Sequence, residues 1–342
     1  MKQVTLIGVG QIGASIGLGL KVEHGKKYRV IGYDPDQDVH ARAEKIGAVD
    51  DAQWNLDVAV RDADVVIISL PVNRAYETME NIAPYLKDDV TITDTCSTKR
   101  SILHWADELL PSNASFVGGH PLVKADATGR DEPSPYLFTH APYAIIPHPR
   151  SRPSAVRDVQ AICNDLGARP LFMDPDEHDS FSAAVSGVPA FVAAAALNAA
   201  SDSPSWHEIS KFVGKDFVSM SQPMANDPAW VNGMASTNRD MLIYWIDQIN
   251  VKLAGIKQML ESEEDVGDPD GPLADILVNA WENRLRLDLG IQPAPPTSAA
   301  PAEQLPSSGE ATASMLMGGF IMKAFRGSKD KDDPTKYDRR KL

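Results

Sequence analysis

The residues best suited to chemistry near the start of the chain are three glycines followed by an aspartate. The glycines lie in Gly8–Gly13, which reads GVGQIG, and Asp34 follows 21 residues after the last of them. The first glycine permits a sharp turn, the second lets a pyrophosphate lie against the backbone, and the third lets a helix pack closely on a strand. The start of the following helix supplies free N–H groups and a partial positive charge. This pattern predicts a dinucleotide site, with contacts from Gly8, Gly10, Gln11, Ile12 and Gly13.

The acidic residue distinguishes between the two nicotinamide dinucleotides. Asp34 would accept hydrogen bonds from both ribose hydroxyls, and its charge would repel a 2′-phosphate. The residues after it, Pro35 and Asp36, offer no cation for such a phosphate. The predicted cofactor is therefore NAD and not NADP. A glycine turn without a ligand is the alternative, and the strand–helix context with the acid in place argues against it.

A strand, a helix and a second strand must position these residues. Lys2–Ile7 is a β-prone run before the turn, an apolar helix begins at Ala14, and Tyr28–Tyr33 is a second strand. Residues 62–71 add an apolar strand of the kind that is buried on both faces of a parallel sheet. The residues at its end are expected to border the cofactor: Ser69, Leu70 and Pro71.

Polar residues follow two later predicted strands. Asp94–Lys99 follows one strand, and Gly118–Pro121 follows a strand over Ser115–Val117. Ligands of open α/β sheets bind at the carboxyl ends of the strands. Ser97 and His120 should therefore reach the same edge as the cofactor. The predicted fold is α/β, with an N-terminal Rossmann-type, doubly wound, mostly parallel sheet.

Composition limits the class of protein. The 342 residues suit two domains, and the net charge of −14 argues against a nucleic-acid surface. The two cysteines, Cys96 and Cys163, show neither a disulfide framework nor metal-ligand spacing, which favours the cytoplasm and no metal. The most apolar run, Val188–Ala200, is shorter than the roughly 20 residues of a membrane span. We expect a core helix there and no membrane partner.

The pattern changes to helices after the sheet. The predicted domains are an NAD-binding domain over residues 1–174 and an all-helical domain over residues 175–290. The long apolar helices of the second domain suggest subunit packing, and hence a homodimer. Residues 291–314 are rich in Pro, Ala and Ser and are predicted to be a flexible linker. The tail over residues 315–342 carries a short apolar patch that we expect to dock on the body as a strand or helix, with binding to another partner as the alternative.

Four stretches together resemble the prephenate/arogenate dehydrogenase family of tyrosine biosynthesis, over about residues 1–290. They are GVGQIG with its Asp34, TDTCSTK at 93–99, VGGHP at 117–121, and EHDSFSAAVSGVP at 177–189. The first stretch is common to many dehydrogenases, whereas the second and third, in this order and spacing, are more specific. The resemblance implies a Rossmann domain followed by a helical dimerisation domain.

The resemblance also implies a reaction and roles for individual residues. In this family a ring hydroxyl carbon gives a hydride to the nicotinamide while the ring carboxylate leaves as CO2. His120 would accept the hydroxyl proton, because the ordinary pKa of histidine is about 6.5. Ser97 would hydrogen-bond the same hydroxyl. Lys99 would meet a substrate carboxylate or orient its loop, with a solvated lysine as the alternative. The pair His178-Asp179 has either a site role or the role of an exposed helix start.

Three departures from the family pattern concern the substrate. Leu122-Val123-Lys124 follows the HP motif where the family has MAG, which places Lys124 at the rim. The family's SHLPH reads SGVPA here, which leaves Ser186 without the two histidines. The family's substrate-binding Arg aligns with Gln222, a much weaker partner for a carboxylate. The cations available as substitutes are Lys124, Arg130 and Arg239, and Arg239 is the best placed of them.

The expected function is thus NAD-dependent oxidative decarboxylation of prephenate or arogenate. One alternative is a related dehydrogenase acting on another cyclohexadienyl or hydroxy-acid substrate, which the three departures favour. The other alternative is a non-catalytic NAD-binding protein, which should have lost His120 and Ser97. Cys96 lies next to Ser97, but without a neighbouring base we expect a small buried residue and not a nucleophile.

Overall fold

The computed structural model describes residues 1–22, 24–123, 132–225, 228–262 and 266–291. The chain divides into two compact units, residues 1–250 and 251–342. The first unit contains the sheet and most of the described helices, and the second contains the end of the helix Arg239–Glu261 and one further described helix, Pro272–Asp288. The boundary after residue 174 stays a prediction. The predicted tail and, apart from residue 291, the predicted linker lie outside the described residues.

One sheet of eight strands forms the centre of the first unit. The strands are β1 Lys2–Ile7, β2 Tyr28–Tyr33, β3 Asp51–Ala52, β4 Val65–Ile68, β5 Thr91–Asp94, β6 Ser115–Pro121, β7 Pro142–Pro147 and β8 Arg169–Phe172. Their order is β3-β2-β1-β4-β5-β6-β7-β8. Every pair is parallel except β6 with β7. The predicted mostly parallel, doubly wound sheet is therefore confirmed.

The register of the sheet brings the predicted ligand-binding residues to one edge. Ile7 lies opposite Tyr33 of β2 and Ile68 of β4, so these three strands end at the same level. Ile68 is level with Asp94 of β5 in turn. The chain reverses the direction of strand addition at β1, which is where open α/β sheets leave a crevice for a ligand.

Helices cover both faces of this sheet. They are α1 Gln11–Val22, α2 Gln37–Lys45, α3 Leu56–Arg61, α4 Val72–Ile82, α5 Arg100–Leu109 and α6 Pro153–Asp165. Along β4, Val65 and Ile67 pack into one hydrophobic cluster, whereas Val66 and Ile68 pack into another. Successive side chains of a strand point to opposite faces, so β4 is buried on both sides, as its continuous apolar run predicts.

The remainder of the described chain is helical, as predicted. It comprises α7 Pro175–Ser182, a π-helical turn Ala183–Gly187, α8 Val188–Ser201, α9 Trp206–Ile209, α10 Lys215–Ser221, α11 Pro228–Thr237, α12 Arg239–Glu261 and α13 Pro272–Asp288. The predicted break within residues 227–261 falls at Asn238, between α11 and α12. A small apolar core forms around Ala183, Val188, Met234 and Leu242.

Some local predictions were wrong. The sequence reading missed β3, α3 and α10, which have two, six and seven residues and are too short to show a clear hydrophobic period. Strand β6 was expected to end at Val117, because Gly118 and Gly119 resemble a turn. It continues to Pro121, since its antiparallel partner β7 pairs with both glycines and with His120.

The segments α7, the π turn and α8 form one continuous helix over Pro175–Ser201. Within the described residues it is the one helix long and apolar enough to cross a membrane, judged by length and composition alone. The expectation of a core helix is wrong for a single copy of the chain. Only Val188, Ala190 and Ala193 of α8 are buried, and Val192 is 37% exposed. Phe191 packs, partly buried, against the small apolar core around Ala183 and Val188.

Candidate active site

The glycine turn has the geometry that a dinucleotide requires. Gly8 adopts φ +92°, in the left-handed region, and a Cβ on it would lie 2.3 Å from the carbonyl oxygen of Ser69. A Cβ on Gly13 would lie 1.9 Å from the carbonyl oxygen of Gly8, which makes the close helix–strand packing possible only for glycine. Gly10 is exposed, and a Cβ there would meet nothing within 4 Å. The backbone at Gly10 is thus open to a phosphate.

Helix α1 begins immediately after this open position. Its first backbone bond joins the N–H of Ala14 to the carbonyl of Gly10. The N–H groups of Gln11, Ile12 and Gly13 therefore have no partner within the helix and lie at its positive end. These features fit the pyrophosphate of the predicted cofactor.

Asp34 is held rigidly at the end of β2. One of its carboxylate oxygens accepts the N–H of Val9 at 2.8 Å, and the other accepts the N–H of Asp36 at 3.0 Å. The residue is only 8% exposed. A carboxylate oxygen has a further lone pair in each case, so both oxygens can still accept ribose hydroxyls. The predicted NAD-selecting role fits this geometry.

The residues after β4 close the other side of the glycine turn. The N–H of Ser69 donates to the carbonyl of Ile7 at 2.7 Å, and the hydroxyl of Thr95 donates to the Ser69 hydroxyl at 3.2 Å. Leu70 lies close to Gly8, and Pro71 precedes α4. All three residues predicted to border the cofactor therefore lie at the edge where β1 ends.

A single buried carboxylate connects the two predicted catalytic residues. Asp94, at the end of β5, accepts the N–H of Cys96 on Oδ2 at 2.9 Å and the N–H of Gly119 on Oδ1 at 3.0 Å. These are the residues directly before Ser97 and His120. Asp94 is fully buried, and its two hydrogen bonds hold both backbone segments at the same edge of the sheet.

Lys99 corrects one part of the sequence reading. The side chain is completely buried, and its ammonium hydrogen-bonds Oδ2 of Asp94. The alternative of a solvated lysine is therefore wrong. The ammonium has a carboxylate partner within the chain, so we do not propose it for the substrate, and it instead compensates the buried charge of Asp94.

His120 lies next to a second histidine in a hydrogen-bonded row. Its Nδ1 is 2.8 Å from Nε2 of His178, and Nδ1 of His178 is 2.8 Å from Oδ1 of Asp179. His178 is 2% exposed and Asp179 is fully buried, so the pair is not an exposed helix start. The sequence is compatible with a site role or with an exposed helix start for this pair, and the structure places it against His120.

The surroundings keep both histidines neutral. Burial, the neighbouring His178 and Lys99 hold the pKa of His120 well below its usual value of 6.5. Burial also lowers the pKa of His178, although Asp179 opposes this shift. A neutral imidazole has one bare nitrogen, so His120 can accept a proton at neutral pH.

Helix α7 and the start of α12 hold the row in place. Asp179 accepts the backbone N–H of Lys99 at 2.6 Å and that of Arg100 at 2.9 Å. The side chain of Asn238 donates to the Asp179 carbonyl at 2.7 Å. The Arg100 guanidinium bridges Asp179 at 3.3 Å and Asp240 at 2.5 and 2.7 Å. Ser182 of α7 donates to the carbonyl of Ser97 at 2.7 Å, which connects the loop that carries Ser97 to the same helix.

The predicted substrate residues are not all brought to this point. Arg239 lines a surface depression with Arg100, His104 and Asp240, and His120 is not part of its lining. Gln222 is exposed, in a 3₁₀ turn after α10. Ser186 is half-buried within the π-helical turn. Lys124 lies outside the described residues, as does Arg130.

The altered helix motif has a structural reason. Gly187 occupies the position of the first missing family histidine, and a Cβ on it would lie 2.5 Å from both Leu242 and Met234. Both of these side chains are buried. They fill the place that a histidine side chain would need, so a histidine at this position would require both of them to move.

Two residues of the candidate site received no role from the sequence. Asp94 belongs to the TDTCSTK stretch, and its position at a strand end before a polar loop was a usable signal. Arg100 gave no such signal, because its partners Asn238 and Asp240 are about 140 residues away along the chain. Only folding brings them together.

Known protein families match this arrangement. The nucleotide-binding domain of prephenate dehydrogenase matches residues 16–171, and the dimerization domain of prephenate dehydrogenase matches residues 174–268. The prephenate dehydrogenase of Bacillus subtilis is 29% identical over 263 residues, which cover 76% of this chain and 71% of the relative. The cyclohexadienyl dehydrogenase of Zymomonas mobilis is 26% identical over 265 residues, which cover 77% and 90%.

Solved structures share the fold. The prephenate dehydrogenase of Aquifex aeolicus, in complex with hydroxyphenyl propionate and NAD+, aligns with a TM-score of 0.75 and 23% identity over 84% of this chain and 99% of that one. The Synechocystis arogenate dehydrogenase aligns with a TM-score of 0.67 and 23% identity over 83% and 99%. With both halves of the chain matched by its two domains, the protein belongs to the prephenate dehydrogenase family.

Proposed function

We propose that this chain catalyses the NAD-dependent oxidative decarboxylation of prephenate or arogenate. The observation that carries the proposal is the buried carboxylate of Asp94. It holds the backbone just before Ser97 and just before His120 at the sheet edge where the glycine turn lies. A dinucleotide turn, a neutral histidine and a serine in one place are what hydride removal from a hydroxyl-bearing carbon requires.

Each side chain has a part in this reaction. The open backbone at Gly10 and the first turn of α1 would hold the pyrophosphate, and Asp34 would hold the ribose. When bound, NAD supplies the acceptor for the hydride of the substrate. His120 accepts the ring hydroxyl proton, and Ser97 hydrogen-bonds the same oxygen.

Decarboxylation of the substrate ring accounts for the remaining atoms and electrons of the reaction. The carboxylate leaves as CO2, and the bonding electrons it leaves behind make the ring aromatic. His120 returns the proton to the phenol oxygen of the product. The products are thus a phenol, CO2 and the reduced cofactor, with 4-hydroxyphenylpyruvate formed from prephenate and tyrosine from arogenate.

The substrate carboxylates need a cation that the family's usual Arg does not provide here. Arg239 is our choice among the described residues, since it lies exposed at the start of α12, directly after Asn238. Ser186 and Gln222 are proposed as neutral contacts, and Lys124 as a second cation. The tight packing around Gly187 favours the alternative of a different cyclohexadienyl or hydroxy-acid substrate.

The test is the absorbance of NADH formed from NAD with either prephenate or arogenate. We expect turnover with at least one of them, and much slower turnover when NADP replaces NAD. No NADH from either substrate, with NAD binding intact, would overturn the proposal. Screening further cyclohexadienyl and hydroxy acids would then separate another dehydrogenase from a non-catalytic NAD-binding protein.

The proposed assembly is a homodimer in the cytoplasm. The match to a dimerization domain supports the dimer, as do the exposed apolar residues Phe181, Val185 and Val192 of the continuous helix Pro175–Ser201. Both cysteines, Cys96 and Cys163, are free and buried, which suits a reducing compartment.

A further inference from the structure

The hydrogen bonds in the row from His120 through His178 to Asp179 all have the same donor-to-acceptor direction. Asp179 ends the row, and both of its carboxylate oxygens already accept backbone N–H groups, from Lys99 and from Arg100. A carboxylate has no proton to donate, so Asp179 can only accept hydrogen bonds. The proton shared over the 2.8 Å between Asp179 and His178 is therefore carried by Nδ1 of His178.

The same donor-to-acceptor direction applies to the hydrogen bond between His178 and His120. Since His178 is neutral and protonated on Nδ1, its Nε2 has only a lone pair to offer. The contact of 2.8 Å to His120 then requires that Nδ1 of His120 donate the proton. Nε2 of His120 is left bare. This nitrogen has no hydrogen-bond partner among the residues that the structure describes.

We propose that His178 and Asp179 are positioning residues, which hold His120 in the one neutral tautomer whose Nε2 accepts the substrate's hydroxyl proton. This inference rests on the proposed function. Without the row, a neutral histidine would divide between two tautomers and rotate about its side-chain bonds, and only one arrangement would place a bare nitrogen correctly.

The anchoring of Asp179 explains why the row is rigid. Its carboxylate is fully buried, and its carbonyl is held by Asn238. Arg100 links the same carboxylate to Asp240. The start of α12 thus fixes the orientation of a base on β6, although no residue of α12 hydrogen-bonds His120 within the described chain.

Two substitutions at His178 separate the positioning role from a merely structural one. His178→Phe keeps a planar ring and removes the acceptor for Nδ1 of His120. His178→Gln keeps a carbonyl oxygen near the place of Nε2, so it can still accept that proton. His148→Phe is the matched control, since His148 also pairs with an aspartate, Asp107 at 3.0 Å, at the opposite end of the sheet.

Steady-state kinetics is the first measurement. General-base catalysis typically contributes about 10²–10⁴-fold, and we expect His178→Phe to lose about 100-fold in kcat. His178→Gln should lose less than about 10-fold, and the His148→Phe control should match the unaltered enzyme. KM and the NAD dissociation constant should stay within about threefold in all variants, because the substituted residues, His178 and His148, are placed against neither the substrate nor NAD. Equal losses in the Phe and Gln variants would contradict the inference.

The second measurement does not depend on turnover. Long-range ¹⁵N–¹H spectra of the full-length enzyme with labelled histidine show which imidazole nitrogen carries the proton. The His120 signals are identified by their loss in His120→Asn. We expect a protonated Nδ1 and a bare Nε2 in the unaltered protein and in His178→Gln, and a loss of this preference in His178→Phe.

The two proposals fail in different ways. If neither prephenate nor arogenate is oxidised by the unaltered protein, the proposed function fails, and the spectra still decide the tautomer. If the substrates are oxidised but Nε2 of His120 carries the proton, or if His178→Phe changes neither spectrum nor kcat, the positioning role is overturned.

Discussion

His120 is the second-last residue of β6, and its surroundings include the buried positive charge of Lys99. The low pKa that follows from burial and from Lys99 keeps the imidazole neutral at neutral pH. The base is therefore ready to accept a proton without first losing one.

Replacing the base should stop the chemistry and spare the cofactor. We expect His120→Asn to reduce kcat by at least about 100-fold, because general-base catalysis is typically worth about 10²–10⁴-fold. The NAD dissociation constant, measured by titration calorimetry, should be nearly unchanged, since Gly8–Gly13 and Asp34 are not altered. A fully active variant would remove His120 from the mechanism.

The cation for the substrate carboxylate can be tested in the same way. A charge-assisted hydrogen bond is typically worth about 1.5–3 kcal/mol, so Arg239→Ala should raise KM by about 10-fold or more with little change in kcat. Arg61→Ala serves as control, because Arg61 is exposed on α3 and pairs only with Asp57 among the described residues. An unchanged KM for the Arg239 variant would exclude this residue from the substrate site.

Close contacts between backbone segments fix the positions of the helices around the site. Helix α1 lies so near the loop after α2 that a Cβ on Gly17 would be 2.1 Å from the carbonyl oxygen of Ala48. This contact fixes the position of the helix that begins directly after the exposed Gly10. The obstacle is backbone, which cannot rotate away as a side chain would.

We therefore expect Gly17→Ala to destabilise the fold by about 1–3 kcal/mol, the usual cost of overpacking. Gly255→Ala in α12 is the matched control, since a Cβ there meets nothing within 4 Å. Alanine is favoured over glycine in a helix by about 1 kcal/mol, so the control should be neutral or slightly stabilised. Urea unfolding midpoints of the two variants measure the difference, and equal midpoints would contradict the packing argument.

In the described part of the chain, the helical region of a single copy leaves large apolar side chains exposed. Phe181 is 51% exposed and Val185 is 74% exposed on the helix that also carries His178. Large exposed apolar residues in a row are typical of surfaces that pack against another molecule. The match to a dimerization domain over residues 174–268 covers this helix.

The expected elution on gel filtration with light scattering is that of a dimer, twice the mass of 37.1 kDa. Val185→Glu should shift the distribution toward the monomer, because the substitution places a charge on the apolar side of the helix. Arg61→Glu, far along the chain on α3, gives a charge-changing control. A monomer mass for the unaltered protein would refute the proposed homodimer.

The sequence alone determined those features that depend on local spacing. The glycine turn, Asp34 and the alternation of apolar strands with helices are read within about 35 residues at a time, so the Rossmann-type sheet and the NAD cofactor followed from them. The roles of His120 and Ser97 followed from the resemblance to a known family. The matched domains confirm the family, whereas the roles of these two residues stay predictions.

The tertiary structure alone decided which partners these residues have. Lys99 faces Asp94 and not solvent, and His178 meets His120 although 58 residues separate them. Arg100 hydrogen-bonds Asp240, which lies 140 residues later in the sequence. Such contacts depend on how strands, loops and helices are packed in three dimensions, and no periodicity in the sequence records that. The tautomer of the base is thus a property of the folded chain, because the groups that set it are adjacent only after folding.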